Sequence, residues 1–145
     1  MFFTLLVFAV ASRWFSHLWN FTFIGGVAYF AGSYFKNKTY SVALVLSSLL
    51  ISDWFIGFHN QMLVVYGAFL VYVFLGTFVN LKSAKLKIYG LSISASLLFY
   101  FITNFSVWYE GLLYPQTLNG LFDCYVSAIP FYRNQFLGDL LAVGL

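Results

Sequence analysis

Three long stretches of this chain carry no Asp, Glu, Lys or Arg: Trp14 to Phe35, Trp54 to Leu81 and Ile88 to Tyr109. Such segments must bury apolar side chains and satisfy their own backbone. A bilayer core of about 30 Å is crossed by about 20 apolar residues in helix, and lipid offers no partner to an open backbone hydrogen bond. The alternation that marks a barrel strand is missing from these runs. Composition points the same way. Hydrophobic residues make up 62% of the chain and charged residues 8%, against about 25% charged in soluble domains. A soluble domain of 145 residues has too little interior to hide that much apolar surface. The sequence therefore predicts an all-α integral membrane protein, a compact bundle of about six transmembrane helices forming a single domain, 1–145.

Short polar clusters punctuate the bundle. They predict helices over Phe2–Leu18, Phe21–Phe35, Thr39–Ile56, Met62–Leu81 and Ile88–Asn104. Ala9-Val10-Ala11 resembles a cleavage site, but a basic n-region is missing and the apolar pattern runs past it, so the first segment reads as a membrane helix. Phe105 to Ile129 holds Glu110, Gly111, Pro115, Gly120 and Asp123. That is too polar for a clean span and predicts a re-entrant or interfacial segment, with a short helix near Leu118 to Val126. A last helix would start near Pro130, where proline suits a first turn. Ending at Leu145 it would be short for a span, so either it begins earlier or the sequence is cut there.

Lysine orients the bundle. Lys36, Lys38, Lys82, Lys85 and Lys87 lie in the second-to-third and fourth-to-fifth connections, which an up-down bundle puts on one face. The positive-inside rule makes that face cytoplasmic. The protein is expected in the bacterial inner membrane, multi-pass, with both termini in the cytoplasm. The lipid bilayer is its first partner. Nucleic acid is excluded, because the net charge of +3 is scattered and forms no basic stripe.

The opposite face collects Asn20, Asp53, His59, Asn104, Trp108, Tyr114, Arg133 and Asn134. A polar or charged group near hydrocarbon is costly and pairs or lines a cavity. These residues are the candidate ligand site, a polar pocket walled by Trp14, Trp19, Trp54 and Trp108. The competing account makes Asn20, His59 and Asn104 helix caps and joins Asp53 to Arg133 as a structural pair. Arg13 would snorkel or pair with Asp53 or Asp139. Gly25, Ala28 and Gly32 fall on one face of the second helix and Ser92 and Ser96 on one face of the fifth, as in close helix packing. They serve either the bundle itself or a docked partner helix. Enzyme chemistry has little footing. There is no nucleophile elbow, no His-Glu-x-x-His spacing and no phosphate-binding glycine loop, and one cysteine, Cys124, builds neither an intrachain disulfide nor a cysteine-rich metal site. No catalytic residue, metal or cofactor is expected.

Several runs together resemble a small bacterial membrane-protein family of unknown function. They are Asn20-Phe21-Thr22 with Gly25-Gly26-Val27-Ala28 and Gly32, then Ser52-Asp53 with Gly57-Phe58-His59, Met62 and Val65-Tyr66. Thr103-Asn104-Phe105 follows with Trp108, Leu113-Tyr114-Pro115 and Thr117. Cys124-Tyr125, Ile129-Pro130-Phe131, Arg133-Asn134 and Gly138-Asp139 complete the set. In size and layout the chain is similar to the substrate-binding S components of energy-coupling-factor transporters. That resemblance implies a six-helix protein that binds a vitamin-like solute or metal ion from outside. It also implies a transmembrane coupling subunit driven by ATPases as partner. The nearest match to their Ala-x-x-x-Ala docking motif is Ser12-x-x-x-Ser16. The expectation is a membrane-embedded binding or uptake subunit for a small solute. The alternative is a small accessory or structural subunit of a larger membrane protein complex.

Overall fold

In a computed structural model the chain is all-helical, and residues 1–14, 21–80 and 82–144 are described. Six helices follow in order: α1 (Phe2–Trp14), α2 (Ile24–Tyr34), α3 (Lys38–Ile56), α4 (Met62–Gly76), α5 (Lys85–Glu110) and α6 (Leu118–Gly144), with no strand among the described residues. Two of them, α3 and α5, are long and apolar enough to cross a membrane, and α1 and α4 are shorter apolar helices.

The shortest helix is the hub. α2 touches each of the other five, and Ile24 to Tyr29, Ala31 and Gly32 are all buried. Glycine makes that possible. A Cβ on Gly32 would fall on the carbonyl of Val73, and one on Gly76 would fall on the carbonyl of Tyr29. The α2 and α4 backbones are therefore in mutual contact at both points, which only a missing side chain permits. Gly26 meets Ala142 and Gly138 meets the backbone of Thr22, so α6 packs onto α2 in the same way. Gly25, Ala28 and Gly32 are thus spent inside the bundle, and Ser92 and Ser96 are buried on α5. The α2 C-terminus is closed by Lys38, whose ammonium donates to the carbonyls of Gly32 and Phe35, each at 2.7 Å; a cation is favoured at that end. Asn37 caps α3 by accepting from the Thr39 amide at 3.0 Å.

The second half of the chain differs from the sequence expectation. Residues 105–129, expected as a re-entrant or interfacial stretch, are helical apart from a turn at 111–117. α5 continues past Asn104 to Glu110, Gly111 stops it in the left-handed region at φ 68°, and α6 begins at Leu118 and runs through Pro130. Proline removes one internal hydrogen bond without ending the helix. The polar residues that suggested an interface fall on the exposed side or at the turn. Asp123 and Glu110 are exposed, and Gly120 packs against the carbonyl of Pro115. Elsewhere α2 starts three residues later than expected, at Ile24 instead of Phe21, and α4 ends at Gly76, short of Leu81. The expected end of the first helix, at Phe15 to Leu18, lies outside the described residues.

Candidate functional site

Alternating helices bring a defined set of ends together. The C-terminal end of α1, the approach to α2, the α3–α4 connection, the N-terminal part of α4, the C-terminal half of α5 and the middle of α6 surround a cavity of about 320 Å³. The lysines of the 35–38 and 82–87 connections belong to the opposite ends.

Apolar and aromatic side chains supply most of the wall: Val65 and Phe69 from α4, Phe99, Tyr100 and Val107 from α5, and Ala128, Phe131 and Tyr132 from α6. Phe69 and Phe99 rings lie 4.7 Å apart and Tyr100 and Tyr132 rings 4.8 Å apart. Such contacts hold the wall rigid. Polar groups enter at defined places: Arg13 and Thr22 from the α1 and α2 ends, His59 and Gln61 from the α3–α4 connection, Thr103 and Asn104 from α5, and Gln135 from α6.

Two buried polar systems back the cavity. In the first, the Arg13 guanidinium faces Asp53 Oδ1 at 2.8 Å as an ion pair lacking hydrogen-bond alignment, and it also donates to Ser52 Oγ. Asp53 Oδ2 accepts from the Tyr66 hydroxyl at 2.8 Å. Asp53 is only 1% exposed, whereas Arg13 is 15% exposed and reaches the cavity. In the second system, Gln135 Nε2 donates to the Tyr72 hydroxyl at 3.0 Å, and Tyr72 donates to Asp139 Oδ2. Asp139 Oδ1 lies against Gly25, takes no hydrogen bond and is fully buried. Ser96 is within electrostatic reach of Asp139, Tyr72 and Tyr132.

Of the residues singled out from the sequence, His59 and Asn104 line the cavity and Asp53 stands directly behind Arg13. The expected Asp53–Arg133 pair is replaced by Asp53–Arg13. α6 starts twelve residues earlier than expected and turns Arg133 to the exposed surface, where it makes no ion pair among the described residues. Asn134 is half-buried beside it and does not line the cavity. Trp108 instead braces the α5–α6 turn, its indole donating to the Pro115 carbonyl at 3.0 Å, and Tyr114 lies within that turn. Neither is part of the wall, and of the four tryptophans expected to form it, Trp14, Trp54 and Trp108 are absent from it. Asn20 and Trp19 lie outside the described residues.

Sequence reasoning missed Gln61, Phe69, Phe99, Gln135 and the Tyr72–Asp139 system. One signal was available. Ala128, Tyr132, Gln135 and Asp139 recur at helical spacing on one face of α6, once that helix is read as continuous. Among the described residues no group of three His, Cys, Asp or Glu side chains is placed to hold a metal ion. The arrangement can enclose a small solute, orient it by amide and hydroxyl groups, and bring it near two buried carboxylates.

Comparison with curated proteins and with solved structures gives no match. A family model described as a family of unknown function, DUF6580, matches residues 1–145. Since that match takes in every helix that builds the cavity, the chain as a whole belongs to the DUF6580 family.

Proposed function

We propose that this protein is a membrane-embedded binding subunit for a small solute, held in the cavity between α4, α5 and α6. The observation that carries the reading is the cavity itself. Its volume of about 320 Å³ is at the small end of ligand sites, and its chemistry is theirs: a largely aromatic wall with a few convergent polar groups. It acts by binding, without catalytic residues. The bundle sits in the cytoplasmic membrane with α3 and α5 crossing it, lysine ends inward, so the cavity opens to the outside. Chain composition supports that placement, as do the two long apolar helices and the many large hydrophobic side chains left on the outer surface, Phe3, Leu63, Leu86 and Phe101 among them. Delivery of the solute by a transmembrane coupling subunit with ATPases, as in S components, extends the same reading. The accessory-subunit alternative drew on the chain's size, its near absence of soluble loops and its small-residue faces, of which the one on α2 is occupied within the bundle.

The test is purification of the native protein from its membrane, followed by mass spectrometry of co-purifying small molecules and proteins. A retained small molecule that raises the unfolding temperature of the isolated protein is the expected result. A stable set of protein companions with no retained solute and no ligand-dependent stabilisation would favour the accessory role instead.

A further inference from the structure

Part of the cavity's polar lining is already committed within the protein. Asn104 Nδ2 is committed to the Tyr100 carbonyl at 2.8 Å and Gln135 Nε2 to the Tyr72 hydroxyl. The Thr103 hydroxyl donates to the Phe99 carbonyl and the Tyr100 hydroxyl to the Tyr125 carbonyl. Each of these four groups turns a donor into the protein. Acceptors are left open beside the second amide N–H groups: the amide oxygens of Asn104 and Gln135, and Gln61 Oε1, which is buried without a hydrogen-bond partner. The partners of Asn104 and Gln135 orient their amides.

Charge agrees. Among the described residues the wall carries Arg13, which is already faced by Asp53 and Ser52. Asp139 has no cationic partner among the described residues. The groups facing it are Tyr72 from α4, Ser96 from α5, Gly25 and Gly26 from α2, and Gln135 on its own helix. Behind the wall Asp139 is a buried acid two hydrogen bonds from the cavity, through Tyr72 and Gln135. Phe69, Phe99 and Phe131 add aromatic wall, a surface on which a cation can be held.

We infer that the cavity takes a small organic cation, a protonated amine with N–H donors on an apolar body. The inference rests on the solute-binding reading and specifies the chemistry of that same site. The ammonium N–H groups meet the amide oxygens of Gln61, Asn104 and Gln135, the apolar body lies on the rings, and the positive charge offsets Asp139.

The experiment uses the full-length protein in detergent micelles and three probes with one aromatic body: phenethylamine, phenethyl alcohol and phenylacetate. Unfolding temperature is followed against probe concentration, with Thr103→Trp, which blocks the cavity, subtracting effects of the probes on the micelle. Phenethylamine is expected to bind at least about tenfold more tightly than the alcohol, and phenylacetate not to bind. The preference should shrink in Asp139→Asn. Equal binding of amine and alcohol overturns the assignment of charge while leaving a solute site. Preference for phenylacetate overturns it in favour of Arg13 as the anchor. Stabilisation that persists undiminished in Thr103→Trp puts the cation elsewhere and overturns it too. No shift with any of the three overturns the inference, while the binding reading is decided separately by the co-purifying small molecules.

Discussion

Arg13 and Asp53 are unequal partners, and the inequality forecasts which of them the fold misses more. Replacing Arg13 by Met keeps the apolar stem and deletes the charge. Asp53, 1% exposed, then retains only the Tyr66 hydroxyl at 2.8 Å. Removing one member of a buried ion pair costs about 3–5 kcal/mol. Arg13 borders the cavity, and water there can reach the vacated place, so the low end, about 3 kcal/mol, is expected. Asp53→Asn is the milder change. Asparagine still accepts from Tyr66, and the freed guanidinium turns to the cavity, so about 1–2 kcal/mol is expected. Ordinary interhelical hydrogen bonds in membrane proteins average about 0.6 kcal/mol, so the Arg13→Met loss stands clear of them. The double variant should be more stable than Arg13→Met alone, because no buried charge is then left unpaired. Arg133→Met, on the exposed side of α6, should stay within about 0.5 kcal/mol of the parent. Reversible unfolding in micelles measures all four. The reasoning fails if Asp53→Asn costs more than Arg13→Met, or if the two losses simply add.

Glycine substitutions should divide sharply. Gly32→Ala and Gly76→Ala each drive a methyl group into a facing carbonyl and should cost about 1–3 kcal/mol or more. Gly67→Ala and Gly90→Ala meet open space and should gain up to about 1 kcal/mol through helix propensity; the same unfolding measurement reads all four. Gly111→Ala, at φ 68°, should cost about 1–2 kcal/mol, seen as a lower unfolding temperature. Topology is tested by thiol labelling of intact cells. Asn60→Cys and Gln116→Cys should react with an impermeant reagent and Ser83→Cys should not, since native Cys124 is buried; the reverse pattern would turn the cavity to the cytoplasm.

Why some of this was legible in the sequence and some not has a physical basis. Polar turns mark helix ends directly, so α3, set between Lys36-Asn37 and Gly57, was bounded to within a residue, and the small residues of α2 reported its close contacts. A helix start near Leu118 was legible, but its continuity through Pro130 was not, because Asp123 and Gly120 read as polar punctuation. One is an exposed group on a helix and the other a contact point for the preceding turn. Their meaning depends on which side of the helix they face, and that is fixed by packing. Arg13 with Asp53 could be conceived from the sequence, but the choice between Arg13, Arg133 and Asp139 as partners needed the helix packing. Tyr72 and Gln135 carry no local signal at all. Tyrosine is abundant here, and a glutamine in a helix is ordinary until its neighbours are known.

The position of the cavity follows from the length of α2. With eleven residues it rises about 16 Å, against about 39 Å for the twenty-six residues of α5. At the lysine end the glycine contacts draw α4 onto α2 with no space between them. At the other end helical α2 begins only at Ile24, and Thr22 just before it already lines the cavity. α5 and α6 extend well beyond that level, so their aromatic faces have no central helix to pack on. Glycine thus has two consequences in one helix. It closes the bundle where α2 runs, and at Gly25 it leaves room for the Asp139 carboxylate beneath the opening. Gly25→Ala should therefore act on the site as well as on the fold. Its methyl group displaces Asp139 and, through Tyr72, Gln135. Any bound cation should be weakened by more than Gly26→Ala weakens it, since that methyl group meets Ala142 alone among side chains. Comparable stability loss with equal binding in the two variants would separate the Asp139 system from the cavity.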